Sequence, residues 1–175
     1  MSAATAQPIV SAEFATAFRD YMLQTLAQEK ETSKRVFAAI PDAKKNDYRP
    51  DPKSRTAFEL AWHVALEDVV LLEQLAERKF ALPDHRYDHE APKTVSELVG
   101  WYERRITSAL EKVRSMSADE LLGPVDFLGM LKLPNFMYLT IIAHHSVHHR
   151  GQISTYLRPM GAKVPSIYGP TADTQ

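Results

Sequence analysis

The chain has 175 residues, 45% of them hydrophobic and 25% charged, with a formal net charge of −1. That is the composition of a folded globular protein, and the near-neutral balance excludes the basic footprint that nucleic-acid binding requires and gives no polybasic surface for a membrane. Cysteine is absent, which excludes disulfides, protein thiolate nucleophiles, cysteine-ligated zinc and iron–sulfur clusters together.

The length fits one domain, taken as residues 1–175. The first residues, MSAATAQPIVSAEF, carry no basic stretch and no long apolar core, so no secretory leader is expected. No apolar run approaches the roughly 20 residues of a membrane span. The six glycines form neither a dinucleotide fingerprint nor a phosphate loop, and HExxH is absent. A cytoplasmic location is expected, in keeping with the lack of cysteine.

Helical periodicity runs through almost the whole chain. Ser11 caps a first helix in which Phe14, Ala17, Phe18, Tyr21, Met22, Thr25 and Leu26 recur at three and four, and Pro41 ends it. Residues 41–52 (PDAKKNDYRPDP) read as a polar, proline-punctuated loop. Ser54 is the expected cap of a second helix. That helix has two apolar faces, one of Phe58, Trp62, Ala65, Leu66 and Val69 and one of Leu60, Val64, Leu71 and Leu75, as in a bundle interior. A second long loop spans about Leu82 to Lys93. Thr94 and Glu97 form a capping-box pattern that opens a third helix. Ser117 and Glu120 repeat the pattern before a short helix or turn. Gly123 to Pro134 reads as a hairpin, a lid or an interface patch. Asn135 is the expected cap of a final helix that runs to about Pro159, followed by a non-helical tail. Four long helices, long loops and no clear strand signal predict an all-α four-helix bundle.

Four of the seven histidines fall in AHHSVHHRGQ on the final helix. Residues four apart share a helix face, so the run holds two chelating pairs, His144/His148 and His145/His149. The apolar stripe chooses between them. With Ile142 at zero, His149 lies about 20° and His145 about 60° away, while His144 and His148 fall outward. His145 and His149 therefore face the core and form a two-imidazole platform for a divalent metal. His63, the only other histidine on a strongly patterned helix, is the third candidate ligand. Glu67 lies one turn further on the same face. It can orient His63, accept a proton from metal-bound water or complete the coordination. His85 and His89 read as exposed loop residues. Gln152 lies near the His149 face and can hydrogen-bond a substrate or a group behind the ligands. Arg150 reads as helix or tail packing.

The segments AFELAWHVALED and IIAHHSVHHRGQISTYLRPMG, with the tail VPSIYGP, resemble the DinB-like family of metal-binding four-helix bundles. The second segment is similar to that family's His-x-x-x-His-Arg-Gly-Gln signature and its Leu-Arg-x-x-Gly ending. The resemblance spans essentially the whole chain. It implies a three-histidine metal site at His63, His145 and His149, the same residues that the face argument selects. It also implies a homodimer, and in the better understood members a metal-dependent transfer of a low-molecular-weight thiol.

Three functions follow as expectations. In the first, a divalent metal, zinc or nickel, activates a soluble thiol that attacks a small electrophilic substrate, with Glu67 and Gln152 as catalytic candidates. In the second, the same metal activates water and Glu67 is the general base of a hydrolase. In the third, the bundle is a non-enzymatic metal- or ligand-binding dimeric scaffold. No nucleic-acid or membrane partner is expected.

Overall fold

A computed structural model describes residues 10–174. The expectation that no leader is present therefore falls, for residues 1–9, outside the described residues. Helix α1 spans Ala12–Ala38 and is capped as expected, with Ser11 Oγ accepting from the Phe14 N–H at 3.1 Å. Pro41 follows its end, where a helical N–H would otherwise be needed.

Helix α2 spans Ala57–Glu77. Its cap is Thr56, not the expected Ser54. Thr56 Oγ1 accepts from the Glu59 N–H at 3.2 Å, and Glu59 Oε2 accepts from the Thr56 N–H at 2.8 Å. Ser54 is occupied by the preceding turn, where its N–H donates to the Asp51 carbonyl at 2.8 Å. Helix α3 (Val95–Arg114) and the short helix α4 (Ala118–Leu122) open on the capping boxes of Thr94 with Glu97 and Ser117 with Glu120.

Of the three readings of Gly123 to Pro134, the hairpin is the one observed. Strands β1 (Pro124–Phe127) and β2 (Leu131–Pro134) pair antiparallel, Val125 opposite Leu133 and Phe127 opposite Leu131. The turn between them places Leu128 and Gly129 at φ of 56° and 72°, the left-handed region that glycine occupies without a Cβ clash. Strands of four residues bounded by proline are too short to show alternation, which is why the sequence carries no strand signal.

Helix α5 spans Tyr138–Leu157. Asn135 does not cap it. A 3₁₀ turn, Asn135–Met137, leads into the helix without a side-chain cap. The fully buried Asn135 amide instead donates to the Leu75 carbonyl at 2.8 Å and the Glu120 carbonyl at 3.4 Å. It ties the ends of α2 and α4 together where backbone acceptors would otherwise be stranded.

The four long helices form the bundle. Helices α1 and α2 each pack against both α3 and α5 and lie diagonally across from one another. The order around the bundle is therefore α1, α3, α2, α5. The long loop after α1 is needed to reach the diagonal position. The core runs the length of this barrel and includes Leu23, Phe37, Val64, Leu72, Leu98, Leu139, Ile142 and Ile153. Because α2 and α5 are neighbours, the face that carries His63 meets the face that carries His145 and His149. No helix among the described residues is long and apolar enough to cross a membrane.

Candidate metal centre

His63 is held between Ala61 and Val64, both fully buried, and follows Trp62, whose ring packs edge-on against Trp101 at 4.6 Å. That packing fixes the rotation of α2. On α5 the fully buried Leu139 and Ile153 and the nearly buried Ile142 set the rotation that turns His145 and His149 inward. The outer histidines, His144 and His148, are exposed, as are His85 and His89.

The three inner rings converge. Their centroids are separated by 5.1 Å (His63 to His145), 5.0 Å (His63 to His149) and 4.6 Å (His145 to His149). One ring nitrogen from each lies within 4.8 Å of the others. His149 Nδ1 is 2.7 Å from Gln152 Oε1. The amide oxygen can only accept, so Nδ1 carries a proton, and in the neutral tautomer that a metal ligand requires the lone pair is on Nε2. Burial, with the positive charge of Arg55 and the neighbouring imidazoles, pushes His63 down to about 4. Burial, with the neighbouring histidines and Arg55, does the same to His145, also to about 4. Both rings are neutral at physiological pH, the state a metal ligand needs.

These residues fit a divalent transition metal on two grounds. Three neutral imidazoles aimed at one point are a donor set for zinc, nickel, copper or iron. In addition, His145 Nδ1 is buried with no hydrogen-bond partner among the described residues, a costly condition for a ring nitrogen. The three histidines can therefore hold a metal ion. Glu67 lies outside the converging set. It is half-buried on the same helix as His63, and burial raises its pKa against the pull of Arg55.

A cleft of about 510 Å³ opens beside His149, lined by Lys53, Ser54, Arg55, Leu60, His149, Gln152 and Tyr156. Lys53 and Arg55 escape a sequence reading because they sit in the loop before α2, where no periodicity assigns a facing. Asp68 also escapes it. It lies inside the apolar stripe of α2, 3% exposed, and accepts from Tyr102 Oη at 2.7 Å and Ser146 Oγ at 3.1 Å. Burial pushes it up to about 7, against the pull of those two hydrogen bonds. It joins α2, α3 and α5 at the level of the histidines. A carboxylate flanked at helical spacing by Val64, Ala65, Val69 and Leu72 is the signal that would have found it. Arg150 is 1% exposed and packs away from the site, bonded to Glu29, Ser33 and Tyr168. It holds α5 to α1 and to the tail.

The model of the DinB family matches residues 12–175. The chain belongs to the DinB family. A DinB-like protein from Bacillus cereus ATCC 10987 has the same fold, with a TM-score of 0.69 at 23% identity over 84% of this chain and 95% of that one. The DinB-like protein YjoA from Bacillus subtilis gives 0.67 at 16% identity over 86% and 99%. The uncharacterised protein YrdA of Bacillus subtilis strain 168 is 22% identical over 155 residues, 88% of this chain and 90% of that protein.

Proposed function

We propose that this protein is a cytoplasmic, single-domain, metal-dependent enzyme that transfers a low-molecular-weight thiol to a small electrophile. The observation that carries the reading is the convergence of His63, His145 and His149 beside a cleft that reaches one of them. When bound, a divalent ion, zinc or nickel, supplies a Lewis acid that lowers the pKa of a coordinating thiol. The chain has no cysteine of its own, so the thiol comes from solution. The protein residues divide the remaining work. Gln152 fixes the His149 tautomer. Glu67, half-buried with a raised pKa, holds or accepts a proton near the ligands. The walls of the cleft orient the small molecule and limit water.

A hydrolase is the second reading, favoured by the same property of Glu67, since a carboxylate with a raised pKa is suited to general-base work on water. The metal requirement is common to both, so the deciding experiment has two stages. Metal content is measured by plasma mass spectrometry on protein purified without a histidine tag or chelator. About one ion per chain is expected, and none in His145→Ala. Electrophiles are then screened with and without added thiols. Turnover only with thiol supports the transferase, and turnover without it supports the hydrolase. A parent protein that takes up neither zinc nor nickel at neutral pH sinks both.

The homodimer implied by the family resemblance belongs to this proposal. It is supported by an apolar groove of about 420 Å³ lined by Phe14, Phe18, Leu133, Phe136, Met137 and Ile141, among others. Phe14 is 54% exposed there, which is high for a residue stacked in a monomer's aromatic cluster.

A further inference from the structure

The cleft beside His149 is unevenly charged. Lys53 and Arg55 line it together with the uncharged Ser54, Gln152 and Tyr156, and no carboxylate does. Among the described residues, neither the Lys53 ammonium nor the Arg55 guanidinium makes a hydrogen bond or an ion pair, although both belong to a chain with 22 acidic residues. The acids nearest in sequence are engaged with other groups. Asp51 Oδ1 accepts from the Lys53 backbone N–H at 2.8 Å, and Glu59 accepts from the Thr56 N–H at 2.8 Å and lies 3.8 Å from Arg49. Several cations elsewhere on the molecule are partnered. Arg86 is held by Asp84 and Glu77, Arg105 by Glu90, Lys112 by Glu73 and Arg150 by Glu29. Arg78, Lys79, Lys93, Arg104, Lys132 and Lys163 are unpaired among the described residues as well; Lys53 and Arg55 differ from these in lining the cleft beside His149.

The three imidazole ligands bring no charge to offset a divalent ion. The two unpaired cations at the mouth add to the positive potential instead of relieving it. A cleft walled by low-dielectric protein focuses such a field and concentrates anions. Its volume of about 510 Å³ lies in the range of small-molecule sites. Ser54 adds a hydroxyl beside the two cations, and Arg55 offers a planar fork of donors that matches an oxyanion.

We propose that Lys53 and Arg55 form an anion-recognition element, so that the molecule whose reacting atom meets the three-histidine centre carries a carboxylate or another oxyanion at its far end. Arg55 is the specificity-determining residue, and Lys53 reinforces it as a point charge. This inference rests on the metal reading above and names the substrate class of the same site. It predicts that neutral and cationic analogues bind less well for reasons of charge, not of size.

The test separates the two readings. Protein loaded with cobalt(II) is titrated with three thiols of similar size and different tails: 3-mercaptopropionate, 2-mercaptoethanol and 2-mercaptoethylamine. Binding is read from the visible absorption of the cobalt, with His145→Ala as the blank. In the parent protein, 3-mercaptopropionate is expected to bind about tenfold tighter than the amine at low salt. A sulfonate tail, as in 2-mercaptoethanesulfonate, keeps the preference if any oxyanion serves and loses it if a carboxylate is required. The preference should shrink at high ionic strength. Arg55→Lys should keep part of it, and Arg55→Glu should abolish or reverse it. Because Arg55 is exposed, the reversal variant is expected to fold and to keep its cobalt spectrum, which is checked first. An intact spectrum with the same ranking of thiols in the parent and in Arg55→Glu overturns the anion inference and leaves the metal reading standing. No cobalt spectrum in the parent overturns the metal reading, and the inference falls with it.

Discussion

His149 Nδ1 lies 2.7 Å from Gln152 Oε1, three residues further along α5. One side of the imidazole is thereby committed to the chain and the other to the convergence of histidines. Hydrogen bonds behind a ligand of this kind set the tautomer and the ring's orientation, and their loss typically weakens metal binding about 10–100-fold. Gln152→Ala is therefore expected to weaken zinc binding by about that factor, measured by competition with a chromophoric chelator. Gln152→Glu, which keeps an acceptor in place, should retain it. Equal affinities in all three proteins would show that the hydrogen bond does not orient the ligand.

The inner and outer histidines of α5 make a second comparison. His145 and His149 face His63 across the helix pair, whereas His144 and His148 are exposed. Single alanine substitutions at His63, His145 and His149 are each expected to remove bound metal, because two imidazoles hold a divalent ion far more weakly than three. His144→Ala and His148→Ala should leave the stoichiometry unchanged. Loss of metal on removing an outer histidine would mean that the ion is held on the surface of α5.

Acid and base act on the metal-free protein in opposite directions. His63 and His145 stay neutral in the native state down to about 4, whereas their ordinary value is 6.5. As pH falls from about 6.5 to about 4 the unfolded chain takes up these protons first, so stability drops across that window. Asp68 has the contrary dependence. Its native pKa is pushed up to about 7 from 3.8, so the unfolded chain ionises first as pH rises from about 4 to about 7, and stability drops in that direction. Urea midpoints at several pH values separate the two. His63→Gln should flatten the acid limb, and Asp68→Asn the limb toward neutral pH. An Asp68→Asn profile parallel to the parent's would mean that Asp68 is ionised in the fold.

Most of the bundle is legible in the sequence because its signals are local. The Ser11 cap, the Thr94 and Ser117 capping boxes and the apolar stripes of the long helices lie within a few residues of the structure they cause. The inward pair His145/His149 is legible for the same reason, since Ile142 and Ile153 fix the facing of α5. The parts that escape depend on distant partners. Ser54 looks like a cap until the turn from Asp51 claims its N–H. Asn135 looks like a cap until the ends of α2 and α4 supply carbonyls that need its amide. Arg55 stands in a loop, where no period says that it faces the histidines. Asp68 meets Tyr102 and Ser146 from two other helices, a juxtaposition that only the order of the bundle creates.

The apolar groove between the start of α1 and the start of α5 gives the last prediction. Phe14 stacks on Phe18 at 6.0 Å and meets Phe136 edge-on at 6.1 Å, yet 54% of it remains exposed. Met137 is 40% exposed beside it, and Met130 and Leu131 extend the surface along the hairpin at 67% and 44%. Covering such a face by a second copy removes apolar area from water at about 25 cal/mol per Å², and a two-fold axis lets one apolar patch meet itself without a charge mismatch. The protein is therefore expected to sediment as a dimer at micromolar concentration, and Phe14→Glu as a monomer. Because Phe14 is more than half exposed, the substitution should leave the bundle folded, with an unchanged far-ultraviolet spectrum and unchanged metal content, since the three histidines lie between α2 and α5. A parent protein that sediments as a monomer would exclude this face as a self-interface. A Phe14→Glu variant that remains a dimer would move the interface to another face of the bundle.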